Sequence, residues 1–419
     1  MSQTLTPDNT LPSKEFIVLM AAIMSVVALS IDAMLPALGV IGQDLSISNP
    51  NHAQFIISAI FGGQAVGQLL CGPLSDALGR KRLLIMAFFL YLIGTVICWT
   101  AGTLEQMLIG RFVQGFAGAG PYISTISIIR DRCSGYAMAR IMSLVMMIFI
   151  MVPVVAPTLG QFMLLLGSWR FIFGLLFCYG LSIMLWSLFR LEETLPPSRR
   201  VPFSVANIKR GARTVLTNRT TVGYMVCAGL VFGALIGYLN SCLQIFQNIY
   251  AVGDAFAIYF GALALTLGLA SLSNSRLVRR FGPRSICITA LVCLCATSAM
   301  MLLAQFIIAV PLWLFMTYAA TIFFCFGLLF GNLNALAMEP MGHIAGIAAA
   351  LIGAISSVIS ISTGTLIGQL FNQTLVPLVG GFLLLGLLAL TIASLVKPAS
   401  AHAANKGRPH GNIGEDNKK

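Results

Sequence analysis

The chain has 419 residues, of which 58% are hydrophobic and only 9% charged, and its formal net charge is +12. An ordinary globular domain carries about 25% charged residues, so a water-soluble fold of this length could not cover its surface. Lipid is therefore expected to be its main solvent. The ten cysteines include no CxxC pair, and we interpret them as small hydrophobes rather than disulfide or metal ligands. The first apolar run is too long for a cleavable signal peptide.

Twelve apolar segments are long enough to cross a bilayer as helices. In chain order they predict spans 1 to 12 at residues 16–41, 53–72, 83–101, 105–129, 138–165, 169–189, 221–245, 255–275, 285–308, 311–336, 346–371 and 375–396. The fold class is thus an all-α polytopic membrane protein. Its two six-helix sets, 16–189 and 221–396, are joined by a polar linker, 190–220, whose middle fits a short amphipathic helix. The tails are 1–15 and 397–419, and the second is predicted to be disordered.

The basic residues are distributed unevenly across the predicted membrane. An even number of spans places both termini on one side, and that side holds 23 of the 25 lysines and arginines. The two others are Arg170, on the opposite side, and Arg111, inside span 4. This bias predicts that both termini are cytoplasmic. A nucleic-acid surface would not be divided among alternate short loops, so we expect no nucleic-acid partner.

Two basic turns indicate an internal repeat. The segment "GPLSDALGRKR" follows span 2 and "SRLVRRFGPRS" follows span 8. Leu74 and Gly79 match Leu277 and Gly282, both 203 positions later. Chance explains two matched positions on their own, but the shared context favours a duplication. Such parallel repeats place a substrate site between two halves near the membrane midplane.

Several motifs resemble those of the major facilitator superfamily. "GPLSDALGRKR" resembles its signature between spans 2 and 3, and "RFVQG" in span 4 resembles its R-x-x-Q-G signature. "PVVAPTLGQ" in span 5 is similar to the antiporter signature, with Ala156 and Gln161 in place of glycines. "SIDAMLPAL" and "EETLPP" resemble the Bcr/CflA (bicyclomycin/chloramphenicol resistance) branch of twelve-span drug:proton antiporters. The resemblance implies two pseudo-symmetric bundles that alternate in access, in a bacterial inner membrane.

Asp32 and Arg111 are the acid and base that lie well inside the predicted spans. An ionised side chain there costs several kcal/mol. Asp32 lies roughly 13 Å and Arg111 roughly 9 Å from the outer end of its helix, at 1.5 Å per residue. The resemblance implies that spans 1 and 4 both line the cavity. We therefore expect a direct or water-mediated pairing that couples transport to protons, with a static structural ion pair as the alternative.

The first basic turn supplies a second candidate site. The resemblance implies a gate formed by Gly72, Asp76, Gly79, Arg80 and Lys81, in which Asp76 faces the start of span 11. A helix N-terminus favours a nearby carboxylate. Asp131, after span 4, is the expected partner of Arg80. The alternative is that these charges only set the topology.

Uncharged residues complete the predicted cavity and hinge. Candidates for the cavity wall are Gln114, Tyr122, Met146, Asn240, Gln244 and Asn332. Each of the polar ones is equally consistent with a helix–helix hydrogen bond, and Met146 with ordinary packing. Pro153, Pro157 and Gly160 in span 5 are hinge candidates, with a simple kink as the alternative.

The second half has no Asp, Glu, Lys or Arg well inside a span, which favours neutral or zwitterionic substrates. The expected function is multidrug efflux by proton antiport, associated with antibiotic resistance. Expected partners are a small-molecule substrate, protons and the lipid bilayer, and the protein is expected to be a monomer. We expect no enzyme activity, no metal and no cofactor apart from protons as the coupling ion. Alternatives are proton-coupled export or import of an endogenous metabolite or siderophore, and a non-transporting membrane sensor.

Overall fold

The computed structural model describes residues 14–133, 135–202 and 204–396. Most of both predicted tails therefore lies outside the described residues. The described part folds into α-helices connected by short turns and 3-10 segments, without strands. The helices are α1 Lys14–Asp32, α2 Leu38–Asp44, α3 Phe55–Leu78, α4 Arg80–Trp99, α5 Leu104–Arg132, α6 Gly135–Leu166, α7 Arg170–Arg190, α8 Val205–Thr217, α9 Arg219–Gln244, α10 Phe256–Phe281, α11 Pro283–Ile307, α12 Leu312–Met338, α13 Ala345–Gln369 and α14 Val376–Leu395.

These helices follow the predicted spans in order. Span 1 consists of α1 and α2, spans 2 to 6 are α3 to α7, and spans 7 to 12 are α9 to α14, while α8 is the helix expected in the linker. Eleven described helical segments are long and apolar enough to cross a membrane. Span 4 is absent from that set although it is 29 residues long, because its glycines, Arg111 and Gln114 lower its hydropathy. Its buried face includes Arg111, Gln114, Ser124, Thr125 and Ser127.

The packing separates two sets of helices. Span 4 packs between spans 2 and 3, and span 1 packs on span 5. In the second set, span 7 packs on spans 10, 11 and 12. The two sets meet where span 2 contacts span 11 and span 5 contacts span 8. Spans 2 and 4 approach so closely that a Cβ atom on Gly63 or Gly115 would overlap the backbone of the facing helix, the small-residue contact expected between membrane helices.

Both basic turns consist of a single glycine. Span 2 ends at Leu78 and span 3 begins at Arg80, with Gly79 between them at φ 101° and ψ 156°. In the second half, Gly282 separates spans 8 and 9 at φ 76° and ψ 155°. This backbone region is open essentially to glycine alone. The shared geometry at positions matched in the sequence supports the duplication.

Span 1 is interrupted immediately after Asp32. Helix α1 ends at Asp32, a 3-10 turn covers Leu35–Ala37, and α2 begins at Leu38. Pro36 lies in the turn and has no N–H to donate to a preceding carbonyl. Gly160 of span 5 packs directly on this break, because a Cβ atom there would overlap the carbonyl oxygen of Ala33. Span 5 itself remains one helix through its two prolines, so its role as a hinge stays a prediction.

One end of the bundle carries Lys14, Gly79 and the polar linker, and we call it the linker end. The other end, which carries Asp44 and Thr103, is the opposite end.

Candidate functional site

Asp32 lies at the boundary between the two halves. It is 5% exposed, and the 3-10 turn after it contacts span 7. Cys242 of span 7 lies near this carboxyl group. To the residues that the structure describes, Asp32 makes no ion pair and no side-chain hydrogen bond. It is thus a buried carboxyl group at a helix break, facing the second half.

Arg111 is fully buried but does not contact Asp32. Its Nη2 donates to the carbonyl of Ser30 at 3.0 Å, its Nε to the carbonyl of Ile56 at 3.3 Å, and its Nη1 to Gln114 Oε1 at 2.9 Å. The guanidinium therefore joins spans 1, 2 and 4 through uncharged acceptors. The expected direct pairing with Asp32, whether as a coupling site or as a static ion pair, is not made.

Helix geometry explains why the pairing is absent. The hydroxyl of Ser30 contacts the hydroxyl of Tyr91 in span 3 at 2.6 Å, which turns this face of span 1 toward the first half. Asp32 is two residues further along, or about 200° around a helix of 3.6 residues per turn. It consequently faces the other way, toward span 7. The sequence placed both charges at similar depth but did not fix their direction.

The other predicted wall residues are dispersed. Gln114 is buried inside the first half, where its Nε2 donates to Thr95 Oγ1 at 2.8 Å. Met146 packs against the core of that half. Asn332 donates to Asn274 Oδ1 at 2.7 Å and so joins spans 8 and 10. Tyr122 lines a cavity at the linker end. The structure does not bring these four together with Asp32.

Asn240 and Gln244 lie in a hydrogen-bonded contact between the halves. Gln54 Nε2 donates to Gln244 Oε1 at 2.6 Å, and Gln244 Nε2 donates to Asn51 Oδ1 at 3.0 Å. Asn240 Nδ2 donates to Ser58 Oγ at 3.3 Å. Two residues of span 11 join the same contact. We call this set the uncharged seam: Asn51, Gln54, Ser58, Asn240, Gln244, Thr365 and Gln369.

The sequence analysis missed the span 2 side of the uncharged seam. Asn51, Gln54 and Ser58 are spaced by three and four residues, which places them on one helix face. That spacing was the available signal. The seam lies at the opposite end and joins spans 2, 7 and 11 through uncharged side chains.

Charged groups surround the first glycine turn at the linker end. Arg80, 4% exposed, binds Asp76 Oδ1 through Nη1 at 2.6 Å and Asp131 Oδ2 through Nε at 3.2 Å. Its backbone N–H donates to Glu193 Oε1 at 2.9 Å. Asp76, Arg80, Asp131 and Glu193 form what we call the turn cluster. The contact expected between Arg80 and Asp131 is present, and its role in gating stays a prediction.

The turn cluster belongs to the first half and the start of the linker. Lys81 Nζ donates to the carbonyl of Leu188 at the end of span 6, at 2.8 Å. Gly72 faces Ala350 of span 11, and Asp76 shares a cavity wall with Gly346 near the start of span 11. Within the described residues, no ion pair links the cluster to the second half. The motif "EETLPP" contains Glu193 but does not by itself predict that Glu193 joins this cluster.

Known proteins match this chain over most of its length. The Major Facilitator Superfamily profile matches residues 19–365. An uncharacterized MFS-type transporter, YdgK, of Bacillus subtilis is 31% identical over 83% of this chain and 86% of its own length. A bicyclomycin resistance protein homolog of Haemophilus influenzae is 27% identical over 87% and 91%. The multidrug resistance protein MdtL of Klebsiella pneumoniae is 28% identical over 77% and 80%.

The fold is shared with solved transporters. The human organic anion transporter MFSD10 (TETRAN) superposes with a TM-score of 0.65 at 14% identity, over 93% of this chain and 100% of that one. These matches confirm the resemblance, the all-α fold class and the prediction that the chain is not an enzyme. The chain belongs to the Major Facilitator Superfamily and is a membrane transporter.

Proposed function

We propose that this transporter exports small amphipathic, neutral or zwitterionic compounds in exchange for protons, and that Asp32 binds and releases the proton. The observation that carries the proposal is the position of Asp32. It is a buried carboxyl group at the break of span 1, at the boundary between the two halves, with no ion-pair partner among the described residues. A rearrangement of the halves would change its surroundings and hence its affinity for a proton.

Arg111 takes a different role in this proposal from the one the sequence suggested. Its three hydrogen bonds hold the first half together around Ser30, two residues from Asp32. It therefore positions the helix that carries Asp32 and does not neutralise the carboxylate directly. The two charged residues thus act on neighbouring parts of span 1. Arg111 stays in its hydrogen bonds, whereas Asp32 gains and loses a proton.

The choice of substrate class rests on charge and on relatives. Spans 7 to 12 have no Asp, Glu, Lys or Arg well inside them, so the second half offers no counter-charge to a strongly charged substrate. Relatives are named for bicyclomycin and multidrug resistance. Both facts favour export of drug-like amphipathic molecules.

One carboxyl group supplies enough driving force for export. Moving one elementary charge across about 100 mV is worth roughly 2.3 kcal/mol, which corresponds to close to a 50-fold concentration ratio at about 1.4 kcal/mol per decade. A single proton site therefore suffices for useful efflux. No second titratable group inside the membrane is needed.

The proposed orientation follows the charges. The linker end carries Arg80, Lys81 and the basic linker, so we assign it to the cytoplasm of a bacterial inner membrane, with the protein acting as a monomer. The uncharged seam then closes the external side, and it must open for release of substrate to the outside.

The test uses purified protein in vesicles with an imposed pH gradient, with chloramphenicol as the probe. Wild-type protein should move chloramphenicol against the direction of proton flow. Asp32→Asn should abolish gradient-driven transport while retaining the wild-type elution profile and helical content. Glu105→Gln is the matched control, because Glu105 is an exposed acid at the opposite end of span 4. Full gradient-driven transport by Asp32→Asn would refute the role of Asp32, and proton movement in the same direction as substrate would replace export with import.

A further inference from the structure

A cavity of about 280 Å³ lies at the linker end between spans 2, 4 and 11. Val201 and Pro202 of the linker cover one side of it. Its described lining residues include none from spans 1, 7 or 10. Tyr122, on its wall, is 11 residues from Arg111 along span 4, or roughly 16 Å at 1.5 Å per residue. The cavity is therefore separate from the region around Asp32.

The depth and size of the cavity suit a small molecule. Its inner end lies at Gln68, whose amide oxygen is next to Gly353 of span 11. Its mouth lies at Asp76, whose side chain is 48% exposed, and at the exposed Arg130. Gly346 to Gly353 spans seven residues of helix, or about 10 Å. Ligand pockets start at roughly 300 Å³, so the volume lies just below that range.

Several polar groups converge in this mostly apolar cavity. Tyr122, Ser127 and Gln68 line it, and their side chains make no hydrogen bond to any described residue. Much of the remaining wall is apolar and includes Ile123, Ile126, Ala349 and Ala350. A few convergent polar groups on an apolar wall are the usual composition of a small-molecule site.

Charge at the mouth narrows the class of ligand. Asp76, Arg80 and Arg130 lie at the mouth, and with Asp131, which pairs with Arg80, they amount to two charges of each sign. A ligand with a net charge would gain no net attraction from such a mouth. A neutral or zwitterionic molecule with hydroxyl or amide groups suits a cavity with an uncharged interior and a mouth where positive and negative charges balance.

We propose that this cavity is a loading site, where an exported amphipathic compound without net charge binds before it reaches Asp32. The ligand class rests on the proposed function, whereas the site rests on the cavity. Spans 2 and 4 belong to the first half and span 11 to the second, so the ligand contacts both halves. Its hydroxyl or amide groups bond Tyr122, Ser127 and Gln68, and its apolar body lies on Ile123 and Ile126.

Thiol protection tests the site without any proton gradient. Ser127→Cys is introduced into full-length protein that also carries Cys178→Ser, since Cys178 is an exposed native thiol. Reaction with a maleimide is followed in lipid vesicles, with chloramphenicol as the probe. At about ten times its Kd, chloramphenicol should slow the reaction of Ser127→Cys roughly tenfold, because about one site in eleven stays empty. Thr217→Cys, on the exposed end of α8, is the control and should react at an unchanged rate.

A second variant separates direct contact from a distant conformational effect. Tyr122→Phe keeps the ring and removes the hydroxyl, so it should raise the chloramphenicol concentration for half-protection about fivefold, corresponding to one hydrogen bond. Protection should persist with Asp32→Asn. Absence of protection, an unreactive Ser127→Cys, or an unchanged half-protection concentration in Tyr122→Phe would each overturn the loading site. If gradient-driven efflux by wild-type protein persists in that case, the proposed function stands and only the site is refuted.

Discussion

The two glycine turns share their backbone but not their surroundings. Gly79 and Gly282 have similar φ and ψ values and each separates two membrane helices. Around Gly79, the turn cluster and the linker fill the space, so that a Cβ atom would overlap the carboxylate of Glu193. Around Gly282, no described residue beyond its chain neighbours comes within 4 Å of the position a Cβ would take. The same repeat unit is packed in one half and open in the other.

This difference shows which features follow from the duplication. The backbone conformation is common to both turns, because a one-residue connection between antiparallel helices requires a glycine conformation in each. The charged side chains around the two turns are not shared. The position that matches Asp76 is Arg279, whose Nε donates to the carbonyl of Ser275 in its own helix at 3.3 Å. The turn cluster is therefore specific to the first half, where it ties span 2 to span 4 and the linker.

Replacing each glycine by alanine should show the largest difference. Both variants place a non-glycine residue in a region that costs about 1–3 kcal/mol. Gly79→Ala also displaces Glu193 from the Arg80 N–H, which adds about 1 kcal/mol. We expect Gly79→Ala to lower the thermal unfolding midpoint in detergent more than Gly282→Ala. Equal decreases would mean that backbone conformation alone matters at both turns.

Replacing an arginine at each turn should give the next largest difference. Arg80→Gln leaves the carboxylates of Asp76 and Asp131 without their cation, and hydrogen bonds to charged groups are worth about 1.5–3 kcal/mol. The carboxylate of Asp131 is 20% exposed, so water replaces part of the loss. Arg279→Gln changes an exposed side chain and should stay within about 0.5 kcal/mol. Chemical unfolding of both variants in mixed micelles measures this, and a comparable loss for Arg279→Gln would contradict the comparison.

The contrast between a shared backbone and different surroundings also explains which features the sequence predicted. Hydropathy predicted the helices, because lipid constrains every residue along a span in the same way. The Arg80–Asp131 contact was predictable because both residues sit at fixed helix ends. The direction of Asp32 was not, since one or two residues of rotation decide which helix a side chain faces. The sequence did not predict the uncharged seam. An amide side chain in an apolar helix gives the same sequence pattern whether it bonds within one half or to the other half.

The smallest expected effect concerns how Glu193 supports the turn. Its Oε1 accepts the N–H groups of Arg80 at 2.9 Å and Leu195 at 3.0 Å. Glu193→Gln keeps an oxygen acceptor and should change the free energy of unfolding by less than about 0.5 kcal/mol, whereas Glu193→Ala loses both bonds and should cost about 1 kcal/mol. Thermal unfolding of the two variants side by side measures the difference. If Glu193→Gln is as damaging as Glu193→Ala, the negative charge, and not the hydrogen-bond acceptor, holds the linker on the first turn.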